Sequence, residues 1–194
     1  MIKKYFENET FENLNICDEV IDGATFVDCR FVNCSFDRCE LSFCKVGECD
    51  FVKCRFSEIK SDSSEIKFLT FSDCRIFGVN WAMFSSTSRF NEPIAKISSC
   101  SLKYNFFTQM NFKKFAFKDS SISSSTFAEC NLAESNFNGC DLKDTEFIKC
   151  DISKADFRNA TGYKVDVTTC KLSGARFSYP EVENLLYSLD IKIE

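Results

Sequence analysis

The chain has 194 residues, of which 44% are hydrophobic, and a net charge of −5 from 24 basic and 29 acidic residues. This size and apolar fraction predict a folded protein with a hydrophobic core. No basic region stands out, so direct nucleic-acid binding is disfavoured. The sequence has no histidine, which excludes histidine-dependent triads and histidine zinc sites. We expect no catalytic residue, no metal site and no cofactor.

The chain contains no run of about 18 apolar residues, so no membrane span is predicted. Its first ten residues, MIKKYFENET, hold two lysines without an apolar stretch behind them. We therefore expect no signal peptide and a cytoplasmic protein.

A large apolar residue returns at every fifth position along most of the chain. The register runs from Phe6 to Trp81 with one polar lapse, at Ser61. It resumes one residue out of phase at Ile97 and continues to Phe177, with a lapse at Gly162 and Val167 as the next apolar position. Sixteen of the 23 phenylalanines lie on these positions, so the pattern is not a product of composition.

A period of five suits neither a helix nor a flat strand, because neither keeps every fifth side chain on one face. It suits a chain that turns a corner every five residues and points the central residue inward. Four corners close a square coil of twenty residues, and coils stack about 4.8 Å apart through parallel hydrogen bonds. The predicted aromatic ladders are Phe11, Phe31, Phe51, Phe71; Phe107, Phe127, Phe147; and Phe117, Phe137, Phe157, Phe177.

Twelve of the thirteen cysteines lie two residues before a central position, and only Cys17 does not. Other occupants of that position are mostly small, which predicts an inward-pointing residue with little room, so we interpret these cysteines as buried free thiols. The alternatives are metal binding and disulfides. Neighbouring cysteines five apart would lie on adjacent walls, unlike close zinc-binding pairs. Ladders such as Cys34, Cys54, Cys74 would come nearer to disulfide range.

Units such as "SNFNG", "CDLKD", "CDISK" and "ADFRN" resemble those of the pentapeptide-repeat family. The resemblance covers about residues 4–179 and implies an all-β solenoid: a right-handed quadrilateral parallel β-helix of about 8 coils with a short C-terminal helix and strand. Within one continuous domain we expect an N-terminal β-helix segment at 1–83, a register break or loop at 84–96, a second β-helix segment at 97–179 and a terminal module at 180–194.

The closing segment, "ADFRNATGYKVDVTTCKLSGARFSYPEVENLLYSLDIKIE", resembles the C-terminal end of Qnr-type quinolone-resistance proteins. That resemblance implies a homodimer formed through the C-terminus. It also implies an acidic rod that imitates DNA and binds DNA gyrase or topoisomerase IV. Such binding would modulate the enzyme or protect it from quinolones or toxins. The alternative is a rigid protein-binding scaffold of unknown partner without mimicry.

The terminal module carries an apolar stripe that follows a proline. Pro180 can open a helix, and the apolar residues after it recur at helical spacing. The predicted dimerisation residues are Pro180, Val182, Leu185, Leu186, Leu189, Ile191 and Ile193. A monomeric cap that shields the last coil is the alternative interpretation.

Candidate partner contacts come from two other features. The first is a series of acids before central positions: Asp141, Glu146, Asp151, Asp156 and Asp166. Short polar side chains there also bond corner backbone, and lysines interleave with them, so an ordinary solvated surface is the alternative. The second is the register break, either a projecting loop with Arg89 and Phe90 as contacts or a one-residue bulge.

Overall fold

The computed structural model describes residues 4–84, 92–189 and 191. The chain forms two compact units, Met1–Ser101 and Leu102–Glu194, called the first and second unit below. The predicted contacts Arg89 and Phe90, and the predicted dimerisation residue Ile193, lie outside the described residues. So does most of the strand predicted after Leu189.

The first unit is built from three-residue strands separated by corners. Most strands, β1 to β11, pair in parallel with the strand twenty residues later, as in Phe6↔Phe26 and Phe31↔Phe51. Its strands are β1 (Tyr5–Glu7), β2 (Thr10–Glu12), β3 (Asn15–Cys17), β4 (Val20–Asp22), β5 (Thr25–Val27), β6 (Arg30–Val32), β7 (Ser35–Asp37), β8 (Glu40–Ser42), β9 (Lys45–Gly47), β10 (Asp50–Val52), β11 (Arg55–Ser57), β12 (Lys60–Asp62), β13 (Glu65–Lys67), β14 (Leu69–Ser72), β15 (Arg75–Phe77) and β16 (Ile94–Ser98). A 3-10 helix spans Trp81–Met83.

The second unit repeats this pattern with fewer strands and more turns. Its twenty-residue pairs include Phe107↔Phe127 and Phe127↔Phe147. Its strands are β17 (Ser101–Lys103), which begins at the boundary, β18 (Phe106–Thr108), β19 (Phe117–Lys118), β20 (Ser121–Ser123), β21 (Thr126–Ala128), β22 (Asp141–Ile148), β23 (Asp156–Phe157), β24 (Thr161–Val165) and β25 (Arg176–Phe177). A 3-10 helix spans Glu181–Leu189.

Phenylalanine rings fill the axis of each unit, as the period predicts. In the first unit, Phe31 stacks on Phe11 and Phe51 with ring centroids 4.9 Å apart on both sides. In the second unit, Phe137 stacks on Phe117 at 4.6 Å and on Phe157 at 4.8 Å. All three predicted ladders are confirmed, and each ring buries a large apolar area against its neighbours.

The corners adopt left-handed backbone at glycine and non-glycine residues alike. Gly78 has φ +66°, and Lys53 and Phe68 have φ +56° and +52°. A side chain in this conformation costs roughly 1–2 kcal/mol. The corner N–H of each coil donates to the next coil, as from Asn8 to Val27 O at 3.1 Å, and such bonds offset that cost.

The change of phase in the sequence coincides with a bulge. Phe71 pairs with Ile97, twenty-six residues away instead of twenty. Leu69 pairs with Ile94, twenty-five residues away, and the register then shifts before Thr70, which pairs with Lys96. Ala95 is therefore the bulged residue, one of six additional residues, and the other five come before Ile94. Residues 85–91 are not described, and a projecting loop there stays a prediction.

The small residues before the central positions form hydrogen-bonded rungs between coils. Cys54 Sγ donates to Phe31 O at 3.3 Å, and Ser64 Oγ donates to Leu41 O at 2.8 Å. Ser64 Oγ also accepts from Cys44 N at 2.8 Å. Cys44 N lies at a corner outside the strands, and the serine hydroxyl gives this buried donor its acceptor. Twelve thiols are buried and Cys17 is exposed, which confirms the predicted burial, and hydrogen bonding is a role that packing alone did not predict.

The last full coil departs from the predicted register. Val165, and not the predicted Val167, takes the axis position opposite Phe147. The ring of Tyr163 fills the space left by Gly162 and lies 5.5 Å from the ring of Phe157. Gly162 has φ +71°, and a Cβ there would lie 2.8 Å from Lys143 Cα. Only glycine fits that position, so the chain advances two residues early.

Candidate interaction surface

Outward side chains of each unit lie in columns, because residues twenty apart are opposite each other in paired strands. Each five-residue step moves to the next face of the coil. A row of charge along one face therefore requires like charges twenty residues apart, and acids five residues apart lie on different faces.

The five acids predicted as partner contacts do not form one row. Asp141 pairs with Ser121, Glu146 with Thr126, Asp151 with Asn131 and Asp156 with Asn136, which places them on four successive faces. Asp166 follows the strand that pairs with Glu146, so these two share a face. Lysines take two of the positions that continuous acidic columns would need: Lys164 lies opposite Glu146, and Lys171 opposite Asp151.

Four of these five acids bond their own turn. Asp141 Oδ1 accepts from Lys143 N at 3.1 Å, and Asp151 Oδ1 accepts from Ser153 N at 3.0 Å. Asp156 and Asp166 make the same bond two residues on, at 3.2 and 3.0 Å. A carboxylate that accepts such bonds stabilises the turn, and the hydrogen bonds lower the pKa of Asp151 and Asp166. These acids thus have a structural role whether or not they contact a partner.

Asp156 is the most enclosed of the acids. Arg158 binds it through Nε at 2.9 Å and Nη2 at 2.8 Å, and Arg176 Nη2 lies 2.8 Å from Oδ2. The guanidinium of Arg158 lowers the pKa of the Asp156 carboxyl. Two arginines and one carboxylate leave this cluster with a positive charge, the opposite of what an acidic strip needs.

The C-terminal 3-10 helix covers the last coil of the second unit. Glu181 Oε2 accepts from Gly162 N at 3.0 Å, and Ser188 Oγ accepts from Val167 N at 3.2 Å. These side chains satisfy backbone donors at the edge of the coil, as a cap does. The helix begins at Glu181, directly after Pro180, and its three-residue period places Val182, Leu185 and Ser188 on one side.

Part of the predicted dimerisation stripe stays open. Val182, Leu185 and Leu186 are half-buried, whereas Leu189 and Ile191 are exposed. Tyr179 and Tyr187 are also exposed, with 81% and 82% of their surface open to solvent. These tyrosines are not among the residues predicted for dimerisation, although two aromatic residues beside an apolar stripe are the signal that identifies them.

The described residues contain no helix long and apolar enough to cross a membrane. Within the same ranges, no three or more cysteine or acidic side chains come together in a way that could hold a metal ion.

Parallel five-residue faces around an apolar axis define a β-solenoid. Comparison of the sequence with known protein families shows which family of solenoids the chain belongs to. A pentapeptide repeat region matches residues 120–186, and pentapeptide repeats (8 copies) match residues 21–57. The two matches together cover more than half of the chain. The chain belongs to the pentapeptide-repeat family, as the sequence predicts.

Solved structures with this repeat match most of the chain at low identity. QnrB1, a plasmid-mediated fluoroquinolone resistance protein, has a TM-score of 0.40 and 19% identity, over 94% of this chain and 100% of that one. HetL, involved in heterocyst differentiation regulation in the cyanobacterium Nostoc sp. strain PCC 7120, has 0.36 and 13%, over 90% and 87%. Rfr23 from the cyanobacterium Cyanothece 51142 has 0.26 and 8%, over 92% and 90%. No curated protein matches the chain significantly in sequence.

Proposed function

We propose that the protein is a non-enzymatic scaffold that binds a partner protein along its regular faces. The observation that carries this proposal is the register: residues twenty apart are opposite each other, as in Phe127↔Phe147, around a closed apolar axis. Such a coil holds outward side chains in columns about 4.8 Å apart with little freedom to rearrange. A surface of this kind suits recognition of a large, rigid partner.

The test places one photo-crosslinking residue on each face of the coil. Lys143, Ile148, Ser153 and Arg158 lie one residue after the axis positions of four successive faces. A scaffold that binds one partner gives strong crosslinks to one protein from one or two adjacent faces in cells. Equal crosslinking from all four faces to a mixture of proteins, or none from any, contradicts the proposal.

A specific candidate for the partner is a type II topoisomerase, either DNA gyrase or topoisomerase IV. It is favoured by the resemblance of the closing segment, together with exposed Leu189 and Ile191 beside the two open tyrosines. A homodimer formed through these residues would double the net charge of −5 and so present a larger acidic surface to the enzyme. The dispersal of Asp141, Asp151 and Asp156 over separate faces weakens mimicry by acidic rows, so Glu146 and Asp166, which share a face, are its best remaining contacts.

A supercoiling assay with a quinolone present tests that candidate. We expect the protein to inhibit gyrase or to restore its activity, and a Glu146→Lys, Asp166→Lys double variant to lose the effect. The matched control is Glu129→Lys, Glu134→Lys, which makes the same charge change in the same unit. Neither rescue nor inhibition over a wide concentration range eliminates the topoisomerase candidate and leaves the scaffold proposal standing.

Dimerisation is tested separately, by sedimentation. Leu189→Asp places a charge on an exposed residue and so leaves the contacts of the cap in place. We expect it to convert a dimer into monomers, while Lys113→Asp, at an exposed turn nearer the start of the second unit, leaves the dimer unchanged. A Leu189→Asp dimer as stable as the unaltered one contradicts the assignment.

A further inference from the structure

The first coil of the first unit, residues 4–23, carries an exceptional share of the charge. It contains six acids, Glu7, Glu9, Glu12, Asp18, Glu19 and Asp22, and one base, Lys4. Its net charge of −5 equals that of the whole protein, so the rest of the chain sums to zero. The acids lie at or just after the ends of β1, β2, β3 and β4 in turn and therefore surround the coil on all four sides.

Three of these acids have no cationic partner among the described residues. Asp18 is bound by Arg38 at 2.7 Å and Asp22 by Lys4 at 3.1 Å. The carboxylates of Glu7, Glu12 and Glu19 form no ion pair within residues 4–84, and all three residues are exposed. We call Glu7, Glu12 and Glu19 the acidic collar.

The strands inside the collar each have one open edge. Among the described strands, β1, β2, β3 and β4 each lie at the end of their sheet and pair on one side only. In the second coil, the N–H groups of Arg30 and Ser35 donate back to Glu9 O and Leu14 O, both at 2.8 Å. By the same repeat geometry, the N–H groups of Thr10 and Asn15 face the open side. Such an edge is a template for another strand.

The axis of this coil is apolar and incompletely covered. Phe11, Ile16 and Ile21 are half-buried, whereas axis residues of the second unit such as Phe127 are fully buried. Apolar side chains from the first three coils line a cavity of about 190 Å³ without polar surface. A cavity of this kind stays dry and accepts an apolar group.

We propose that the first coil is a docking end for an extended, cationic and apolar segment of a partner polypeptide. The segment would add a strand to an open edge, place basic side chains against the acidic collar and insert one large apolar side chain into the axis. Charge complementarity selects this occupant, because five net negative charges around an apolar opening disfavour an acidic or neutral strand. This inference goes beyond the proposed scaffold role, because it adds a second site at the end of the first coil and names the chemistry of the polypeptide that binds there.

The test measures peptide binding to the full chain by fluorescence anisotropy. The probe is a labelled heptapeptide, Lys-Val-Lys-Phe-Lys-Val-Lys, with acetylated and amidated ends, and its counterpart has glutamate for each lysine. We expect the cationic peptide to bind and the acidic one not to bind. The Glu12→Lys, Glu19→Lys double variant should weaken binding at least tenfold, and the matched remote variant Glu129→Lys, Glu134→Lys should change it less than twofold.

A third peptide separates strand addition from charge attraction without altering the protein. It is the cationic heptapeptide with alternate backbone nitrogens methylated, which removes edge hydrogen bonds and keeps the charge. We expect at least tenfold weaker binding. Equal binding of the methylated peptide, or an equal loss in the remote variant, overturns the proposal in favour of nonspecific charge attraction. If no peptide binds, the proposal is overturned. If the protein then also self-associates, and the Glu12→Lys, Glu19→Lys variant changes that self-association, this end binds a second copy instead. Either outcome leaves the face-crosslinking test of the scaffold role unaffected.

Discussion

The two units follow one repeat but close it differently. Most axis residues of the second unit are fully buried, including Phe107, Phe127 and Phe147, whereas Phe36 in the first unit keeps 9% of its surface exposed. An apolar cavity of about 190 Å³ runs along the axis of the first unit. The second unit has turns closed by bonds such as Ser135 N to Leu132 O at 3.1 Å, and the first unit has short strands at the same positions.

The residue before the axis position contributes to this difference, although Asn15 and Asp50 hold the same position in strands of the first unit. In the second unit it is often Asn or Asp, as at Asn131 and Asp151, and its side chain accepts the N–H two residues later. In the first unit that position holds residues such as Arg30, Lys45 and Thr70, which cannot accept that bond or, in the case of threonine, do so more weakly. A side chain that fixes the turn lets the backbone curl tightly around the axis, so one polar atom per corner affects the packing of the core.

The largest expected difference between the units concerns the ring ladders. Phe137→Ala in the second unit should lower the free energy of unfolding by about 4 kcal/mol, because a fully enclosed ring leaves a rigid cavity. Phe31→Ala in the first unit should lower it by about 3 kcal/mol, because the neighbouring axis already contains empty space. Urea unfolding followed by far-UV circular dichroism measures both, and fluorescence of Trp81, the single tryptophan, reports the first unit.

Equal losses for the two variants would contradict the looser packing of the first unit. A larger loss for Phe31→Ala would reverse the comparison and place the stability of the protein in its first coils. Phe43→Ala is the control, because this exposed corner phenylalanine packs into neither axis.

The sequence predicts the ladders well because the period of five depends on backbone geometry that every coil shares. The phase of Phe31 or Phe137 fixes its inward direction whatever its neighbours are. The last coil is different, because the shift to Val165 depends on Gly162 meeting Lys143 in three dimensions. The candidate contacts were the least predictable: Asp141, Asp151 and Asp156 form a regular series along the chain, but each five-residue step moves the next acid to another face.

The next largest effect concerns two arginine–aspartate clusters. Asp156→Asn in the second unit should cost about 2 kcal/mol at pH 7, since it weakens charge-assisted bonds to Arg158 and Arg176 at an enclosed site. In the first unit, Asp18→Asn should have a much smaller effect, because both Asp18 and Arg38 are exposed to water.

The stabilisation by the Asp156 carboxylate should depend on pH in a defined direction. Arg158 holds the folded pKa of Asp156 below its ordinary value of 3.8. The stabilisation is therefore present above about pH 4 and is lost as the pH falls through the lower folded pKa. Urea unfolding should show a gap between the unaltered protein and Asp156→Asn that narrows on going from pH 7 to about pH 3. A gap that stays constant would mean that the carboxylate charge does not contribute.

Two serines at equivalent positions differ in hydrogen bonding, and we expect a smaller difference in the free energy of unfolding when each is replaced. Ser64 lies two residues before Ile66, and its hydroxyl bonds both Cys44 N and Leu41 O. Ser135 lies two residues before Phe137, and its buried hydroxyl has no hydrogen-bond partner. Ser64→Ala should cost about 1 kcal/mol or somewhat more, because it removes the hydrogen bonds to Cys44 N and Leu41 O at a buried site, and Ser135→Ala should be neutral or slightly stabilising. Urea midpoints at fixed slope measure both, and equal losses would show that the rungs act by packing alone.

The smallest expected effect on stability, and a clear one on reactivity, concerns the thiols. Cys17 in the first unit is exposed, whereas Cys130, Cys140, Cys150 and Cys170 of the second unit are buried. A thiol reagent should label one cysteine of the folded chain and all thirteen after unfolding.

The hydrogen bond to Asp18 raises the pKa of Cys17 to about 11, so labelling at pH 8 should be slow and should accelerate as the pH rises towards that value. Asp18→Asn should lower this pKa and increase the labelling rate at pH 8 several-fold, and Asp28→Asn, at the next acidic corner, should leave it unchanged. A rate that does not respond to Asp18→Asn would show that the carboxylate does not control the thiol, and labelling of a second-unit thiol in the folded chain would contradict the closure of that unit.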